Sequence, residues 1–495
     1  MIEKQHNSPF KPKNMKKIIK QRALIVSVLT IFSVSLFAQT DGKKAKVFLS
    51  AANQKEMLVE QPAITFAQDL ETENLLINIY PEFKYQKILG FGAAFTETAA
   101  YNFSLLSPAS QEKVSELYFG KTGIGFNFCR THINSSDFGI DEYTYVADGD
   151  VDLKTFNIDR DRKYVIPMIK AAFKVNPDIW LFASPWSPPA WMKDNKKMID
   201  GGHLLPQYYQ TWAKYFSLYL EEYRKEGVDF FGVTVQNEAK AVQTWESCIW
   251  SGKEEGLFAT NYLRPTLDET GFGEIKIMVW DHNKERIMER ARESFSVPGA
   301  KEAIWGIAHH WYSGDHFDNL RMTHELFPDK PFVATENGFG GVRGSDVAKT
   351  WETTERFAKE TIVNFNNFSA ALVTWNLIVD LETGGPYHNR PGGASAAIFV
   401  DSKKKEFSLG TNYYANGHFS KYIKRGAVRI GNSTYNDAVK VAAFSNPDGE
   451  IVIVILNTTD EDAKPKIRLN NCTADFNLPA KSLQTMIIPP LSSSW

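Results

Sequence analysis

The chain has 495 residues, 43% of them apolar and 13% aromatic, with 12 Trp, 19 Tyr and 34 Phe. That is enough to bury one large core and a smaller one and still leave rings for a binding surface. Its 56 basic and 58 acidic residues leave a formal charge of −2, too weak a field to gather a polyanion. Nucleic acid is thereby excluded as the expected partner, and a neutral small or polymeric substrate fits better.

At the N-terminus Lys16, Lys17, Lys20 and Arg22 precede the apolar run 23–38, which is short for a membrane span. We read residues 1–38 as a signal peptide cleaved after Ala38. No Cys follows the run to take a lipid, so the expected location is secreted or periplasmic, with no stable membrane insertion after cleavage. Within residues 39–87, Lys46–Ser50 and Leu75–Tyr80 are strand-like and are expected to join a side domain.

From residue 88 to 415 strand-like runs alternate with helically patterned stretches. The runs are Ile88–Phe95, Phe126–Arg130, Ile179–Ala183, Phe230–Val235, Ile275–Val279, Ala303–Ala308, Pro331–Thr335 and Ala370–Trp375. Eight runs at intervals of about 30 to 50 residues predict a (β/α)8 barrel, a fold of the α/β class. Between the third and fourth, Tyr208–Arg224 carries apolar residues at helical spacing. From Asn416 onward the texture changes. Residues 438–444, 451–457 and 486–488 are β-rich and separated by turn residues, which predicts an antiparallel β-sandwich over 416–495, completed by the early strands.

Two of the apolar runs lead into a glutamate. Residues 230–238 end in Glu238 and residues 331–336 end in Glu336. A carboxylate at the C-terminal end of a barrel strand sits where such folds place catalytic groups. Two of them suit glycosidic bond cleavage, in which one carboxylic acid protonates the departing oxygen while a second, ionised, supports or attacks the anomeric carbon. On this reading one of the two stays charged while the other keeps its proton near neutral pH. Cys129, Cys248 and Cys472 are too few and too scattered for a disulfide framework. His309, His310 and His316 are the nearest approach to a histidine cluster, but neighbours in a strand point to opposite faces, so no metal and no other cofactor is expected.

The strings GFGAAFTETAA (90–100), YFGKTGIGFNFCR (118–130), ASPWSPPAWMK (183–193), VTVQNE (233–238), HHWY (309–312), ATENG (334–338), TWNL (374–377) and GHFSKYI (417–423) resemble glycoside hydrolase family 30. That group contains glucosylceramidases and β-1,6-glucanases. The resemblance runs in order from about residue 80 to the C-terminus. It implies a retaining enzyme with a barrel and an attached sandwich, with Glu238 as acid/base and Glu336 as nucleophile. It further implies substrate-binding roles for Glu97, Arg130, Trp186, Asn237, His310, Trp311, Tyr312 and Trp375. Asn237 would meet the sugar 2-hydroxyl, Glu97 the outer hydroxyls, and Arg130 and Tyr312 the nucleophile. Residues 387–397 depart from the glucosylceramidase pattern, so the aglycone is not carried over. The expected substrate is a β-linked glucoside or glucan, with a β-1,6-glucan in front. Glucosylceramide, a β-xyloside or β-fucoside, and a non-catalytic carbohydrate-binding role are the alternatives.

Overall fold

The computed structural model describes residues 43–71, 75–340, 343–390 and 392–491, and the expected signal peptide lies outside them. Eight parallel strands close a barrel: β1 (Gly90–Phe95), β2 (Phe128–Ile133), β3 (Trp180–Pro185), β4 (Gly232–Thr234), β5 (Lys276–Asn283), β6 (Gly306–His310), β7 (Phe332–Asn337) and β8 (Ser369–Thr374). Each overlaps one predicted run. The largest shift is at the end of β5, which runs on to Asn283, and β6 starts late, at Gly306, because Ala300–Ala303 form a helical turn instead. The runs read as continuously apolar because both strand faces are covered, by the outer helices and by the barrel interior. Phe128, Phe182, Met278, Ala308, Val333, Ala371 and Val373 fill that interior. Each Phe, Met or Val among them contributes about 1.5–3 kcal/mol by leaving water.

The helix Tyr209–Lys225 forms where helical spacing predicts it. Trp212, Tyr215, Phe216, Tyr219, Leu220 and Tyr223 make its buried stripe. Outside the barrel, ten strands share one sheet order that wraps a second core containing Val47, Ile77, Ile79, Ile430, Ile453, Ile467 and Met486. The strand Lys44–Ala51 pairs antiparallel with Ser482–Ile488, and Leu76–Lys87 pairs with Val428–Thr434. The first and last described strands therefore meet in one β-sandwich.

The boundary expected at 415/416 falls inside the helix Thr411–Ser420, which is buried on nearly every side. This helix serves both domains. Ser420 donates to the Ile124 carbonyl at 2.7 Å beside the barrel, and the His418 ring reaches Ser50 at 2.8 Å and Thr485 at 2.9 Å in the sandwich. Burial keeps the His418 imidazole neutral, with its pKa down at about 3. Cys129, Cys248 and Cys472 are all buried.

Candidate active site

Glu336 lies in β7 with both carboxylate oxygens held. Oε2 accepts from Arg130 at 2.7 Å and Oε1 from the Tyr312 hydroxyl at 2.6 Å. Past the end of β4 the chain continues to Glu238, whose φ of 49° lies in the left-handed region that side chains other than glycine seldom adopt. Flanking strands impose this shape. The Asn237 N–H donates to the Pro185 carbonyl and the Glu238 N–H to the Asp281 carbonyl, both at 2.8 Å. Backbone held in such a region by its neighbours is common where a side chain must be aimed.

Arg130, in β2, joins four strands from beneath. Its Nε donates to Ser184, one terminal nitrogen donates to Glu336 and the Thr335 carbonyl, and the other donates to Asn237 and Asp281, both at 2.8 Å. All five guanidinium protons are used, so complete burial leaves none orphaned. Because Asn237 accepts from Arg130 through Oδ1, its amide nitrogen is the end left to donate toward a ligand. Asp281 is equally buried and also accepts from Thr234 at 2.7 Å and Thr335 at 2.6 Å, and it lies 2.9 Å from His310 Nε2. Removing one partner from such a buried ionic group costs about 3–5 kcal/mol.

Above this network opens a cavity of about 300 Å³ lined by Glu238, Glu336, Asn237, Trp186, Trp375 and Tyr312, and also by Asp137, Gln243, Trp245, His282, Asn283 and Arg390. Trp186 and Trp375 stack with centroids 5.2 Å apart. Aromatic faces with a few convergent polar groups suit a ring that is apolar on its faces and hydroxylated at its edge.

Four ionisable groups set the electrostatics. Burial opposes ionisation of Asp281, but Arg130, His310 and Thr335 outweigh it and hold the carboxyl well below its usual range. Burial favours a neutral His310, yet the Glu336, Asp281 and Glu238 charges raise its pKa to about 9. The resulting imidazolium stands 3.5 Å from Glu238 through Nδ1 and 4.0 Å from Glu336 through Nε2. Burial pushes Glu336 up, with Glu238 adding to it, and His310 and Arg130 offset only part. Burial also pushes Glu238 up, but His310 and His282 outweigh it and leave the carboxyl below its ordinary value. The expectation that Glu238 keeps its proton near neutral pH meets opposition from two imidazoles beside it, which sequence spacing did not show.

A family model described as "Glycosyl hydrolase family 30 TIM-barrel domain" matches residues 88–423, and one described as "Glycosyl hydrolase family 30 beta sandwich domain" matches 426–486. The chain belongs to glycoside hydrolase family 30. It is 32% identical to the lysosomal acid glucosylceramidase of Mus musculus over 78% of each chain. It is 27% identical to an endo-1,6-beta-D-glucanase of Trichoderma harzianum over 94% of this chain and 99% of the relative. Among solved structures, SrfJ from Salmonella typhimurium is similar at 32% identity with a TM-score of 0.87, covering 90% of this chain and all of that one.

Of the family 30 positions expected in the site, Trp186, Asn237, Tyr312 and Trp375 line the cavity with the two glutamates, while Arg130 and His310 support it from below. Two expectations are corrected. Glu97 is buried in the first turn of the helix Glu97–Ser104, where it accepts from Arg160 at 2.6 Å and the Ile140 N–H at 2.8 Å, and it is absent from the cavity wall. It anchors the loop that carries Asp137, and Asp137 is the further carboxylate in the cavity. Trp311 is also absent from the wall. Its ring packs on Arg356 at 4.2 Å and against Gly338, where an added Cβ would come within 2.9 Å of the indole. Tyr312 lines the cavity and His310 lies beneath it, whereas Trp311, one residue past the end of β6, packs away on Arg356.

Asp281, Asp137 and Arg390 are sites the sequence reading missed. The fifth run, taken to Val279, continues through Trp280 to Asp281, the same pattern of an apolar run closed by a carboxylate. Asp137 and Arg390 belong to loops and carried no such signal. Arg390 donates to Asp137 at 3.0 Å, and burial with the surrounding carboxylates raises Asp137 to about 7.

Proposed function

We propose that this family 30 glycosidase hydrolyses β-glucosides with net retention, with Glu336 as nucleophile and Glu238 as acid/base. The observation that carries the reading is the double donation to Glu336. Arg130 and Tyr312 supply protons to both of its oxygens, an arrangement that favours the anion. Burial and the Glu336 charge raise the Tyr312 phenol well above its ordinary value, so it remains a donor.

Productive chemistry needs a proton on Glu238 and an ionised Glu336. In the empty cavity the imidazoles oppose that placement. A glycosidic oxygen reverses the preference, because it accepts a hydrogen bond only from the protonated acid. A 2-deoxy-2-fluoro-β-glucoside bearing a good leaving group is expected to label one peptide stoichiometrically, the one containing Glu336, as read by mass spectrometry after digestion. A label on another peptide, or an inverted first product by NMR, would overturn the assignment.

His310 offers a test of the electrostatics. Its positive charge lowers both carboxyls, so His310→Gln is expected to move both limbs of the kcat/KM profile to higher pH. Limbs that stay in place would remove His310 from this role.

For the leaving group, our first reading is a glucan or oligosaccharide with β-1,6 links. Relatives named as endo-1,6-β-glucanases spanning nearly the whole chain support it. The higher identity to glucosylceramidases favours a second reading, glucosylceramide. Parallel assays on a β-1,6-glucan and on detergent-dispersed glucosylceramide separate the two. The basic residues and apolar run of residues 16–38 support an exported enzyme. Among the described residues no helix is long and apolar enough to cross a membrane.

A further inference from the structure

The acid/base carboxylate has two imidazole neighbours that the hydrolytic cycle does not require. His282 Nδ1 lies 4.0 Å and His310 Nδ1 3.5 Å from Glu238 Oε1, and each of the three residues offers a ligand atom within 4.8 Å of the others. Both Nδ1 atoms are buried and neither has a hydrogen-bond partner within normal geometry. We propose that Glu238, His282 and His310 form a binding site for a zinc ion, which inhibits the enzyme by occupying its acid/base. The inhibitory part of this inference rests on the role given to Glu238 above.

The chemistry of the donor set fits the ion. Two imidazole nitrogens and one carboxylate oxygen are common zinc ligands, and they leave a fourth position for water. Bonds of about 2.0–2.1 Å in a tetrahedron put ligand atoms about 3.3 Å apart. Side-chain shifts well under 1 Å bring the two carboxylate contacts to that spacing, with a larger closure between the two rings. His310 already has the support that zinc-bound histidines show. Its Nε2 meets the Asp281 carboxylate at 2.9 Å, which keeps a proton there, and zinc displaces the proton that the imidazolium carries on Nδ1, the atom facing Glu238. Glu336 and Asp137 line the same cavity and add negative charge. The fourth position faces this cavity, so bound zinc stands where the leaving-group oxygen must approach.

The ion is an inhibitor in this scheme, not a cofactor. It takes the Glu238 lone pair that must accept and release the catalytic proton. Inhibition by zinc is therefore expected to be competitive with an aryl β-glucoside.

The test titrates the metal-stripped full chain with zinc by calorimetry and with cobalt(II) by visible absorption, beside inhibition of aryl glucoside hydrolysis. One zinc per chain, tetrahedral cobalt bands and competitive inhibition are expected. His282→Asn should weaken zinc binding and inhibition at least tenfold, each judged against that variant's own activity. Glu238→Gln, which keeps the side-chain shape, should weaken zinc binding alike and serves if His282→Asn does not fold. Unchanged zinc affinity in the folded variants, or zinc binding without inhibition of an active enzyme, overturns the proposal. Zinc binding that depends on His282 in a protein without glucosidase activity would leave the site standing and sink the catalytic assignment instead.

Discussion

Replacing Glu336 by Gln lowers kcat/KM for an aryl β-glucoside by at least about four orders of magnitude, the scale seen when a covalent nucleophile is removed. The fold should survive. Gln keeps the volume and one acceptor oxygen, although its amide then faces Arg130 or Tyr312, both donors, in place of an oxygen that accepts. The smaller variant Glu336→Ala opens the anomeric face beneath the sugar. With azide and an activated glucoside it should form the α-glucosyl azide by direct displacement. Residual turnover within tenfold of the parent enzyme, with contaminating activity excluded, would remove Glu336 from the reaction.

Glu238→Ala divides substrates by their leaving groups. A dinitrophenolate departs without a proton, so glycosylation of Glu336 should persist, whereas an alkyl or sugar leaving group should lose roughly 10²- to 10⁴-fold. Hydrolysis of the glycosyl-enzyme then stalls for want of a base. Azide needs none and should restore turnover, giving the β-glucosyl azide. The two variants therefore predict opposite anomers from one reagent. An α-azide from Glu238→Ala would mean that the faces have been assigned the wrong way round.

The barrel was legible because its strands are covered on both faces and so read as unbroken apolar runs. Length and β-branching separated them from helices except before β6, where Ala303 and Ile304 are apolar yet lead out of a helical turn. The proposed catalytic pair was legible for a related reason, since a carboxylate closing such a run has few structural uses. What the sequence could not show is convergence. Asp137 and Arg390 are 253 positions apart and meet only because two loops close over the same mouth. Glu97 misled because a residue just beyond a strand can begin the next helix, and the helix start decides where its side chain points. Trp311 lies just past the end of β6, where strand alternation no longer decides which way a side chain points.

The wiring of Arg130 has a consequence for biosynthesis. One guanidinium clasps groups from β3, β5 and β7 and the residue before Glu238, so the reactive constellation exists only when staves far apart around the ring are seated together. A nascent or partly unravelled chain would hold both glutamates and yet be chemically mute. Hydrolytic power would then appear as a late, all-or-none event, and its loss on gentle denaturation should precede any large change in helical content.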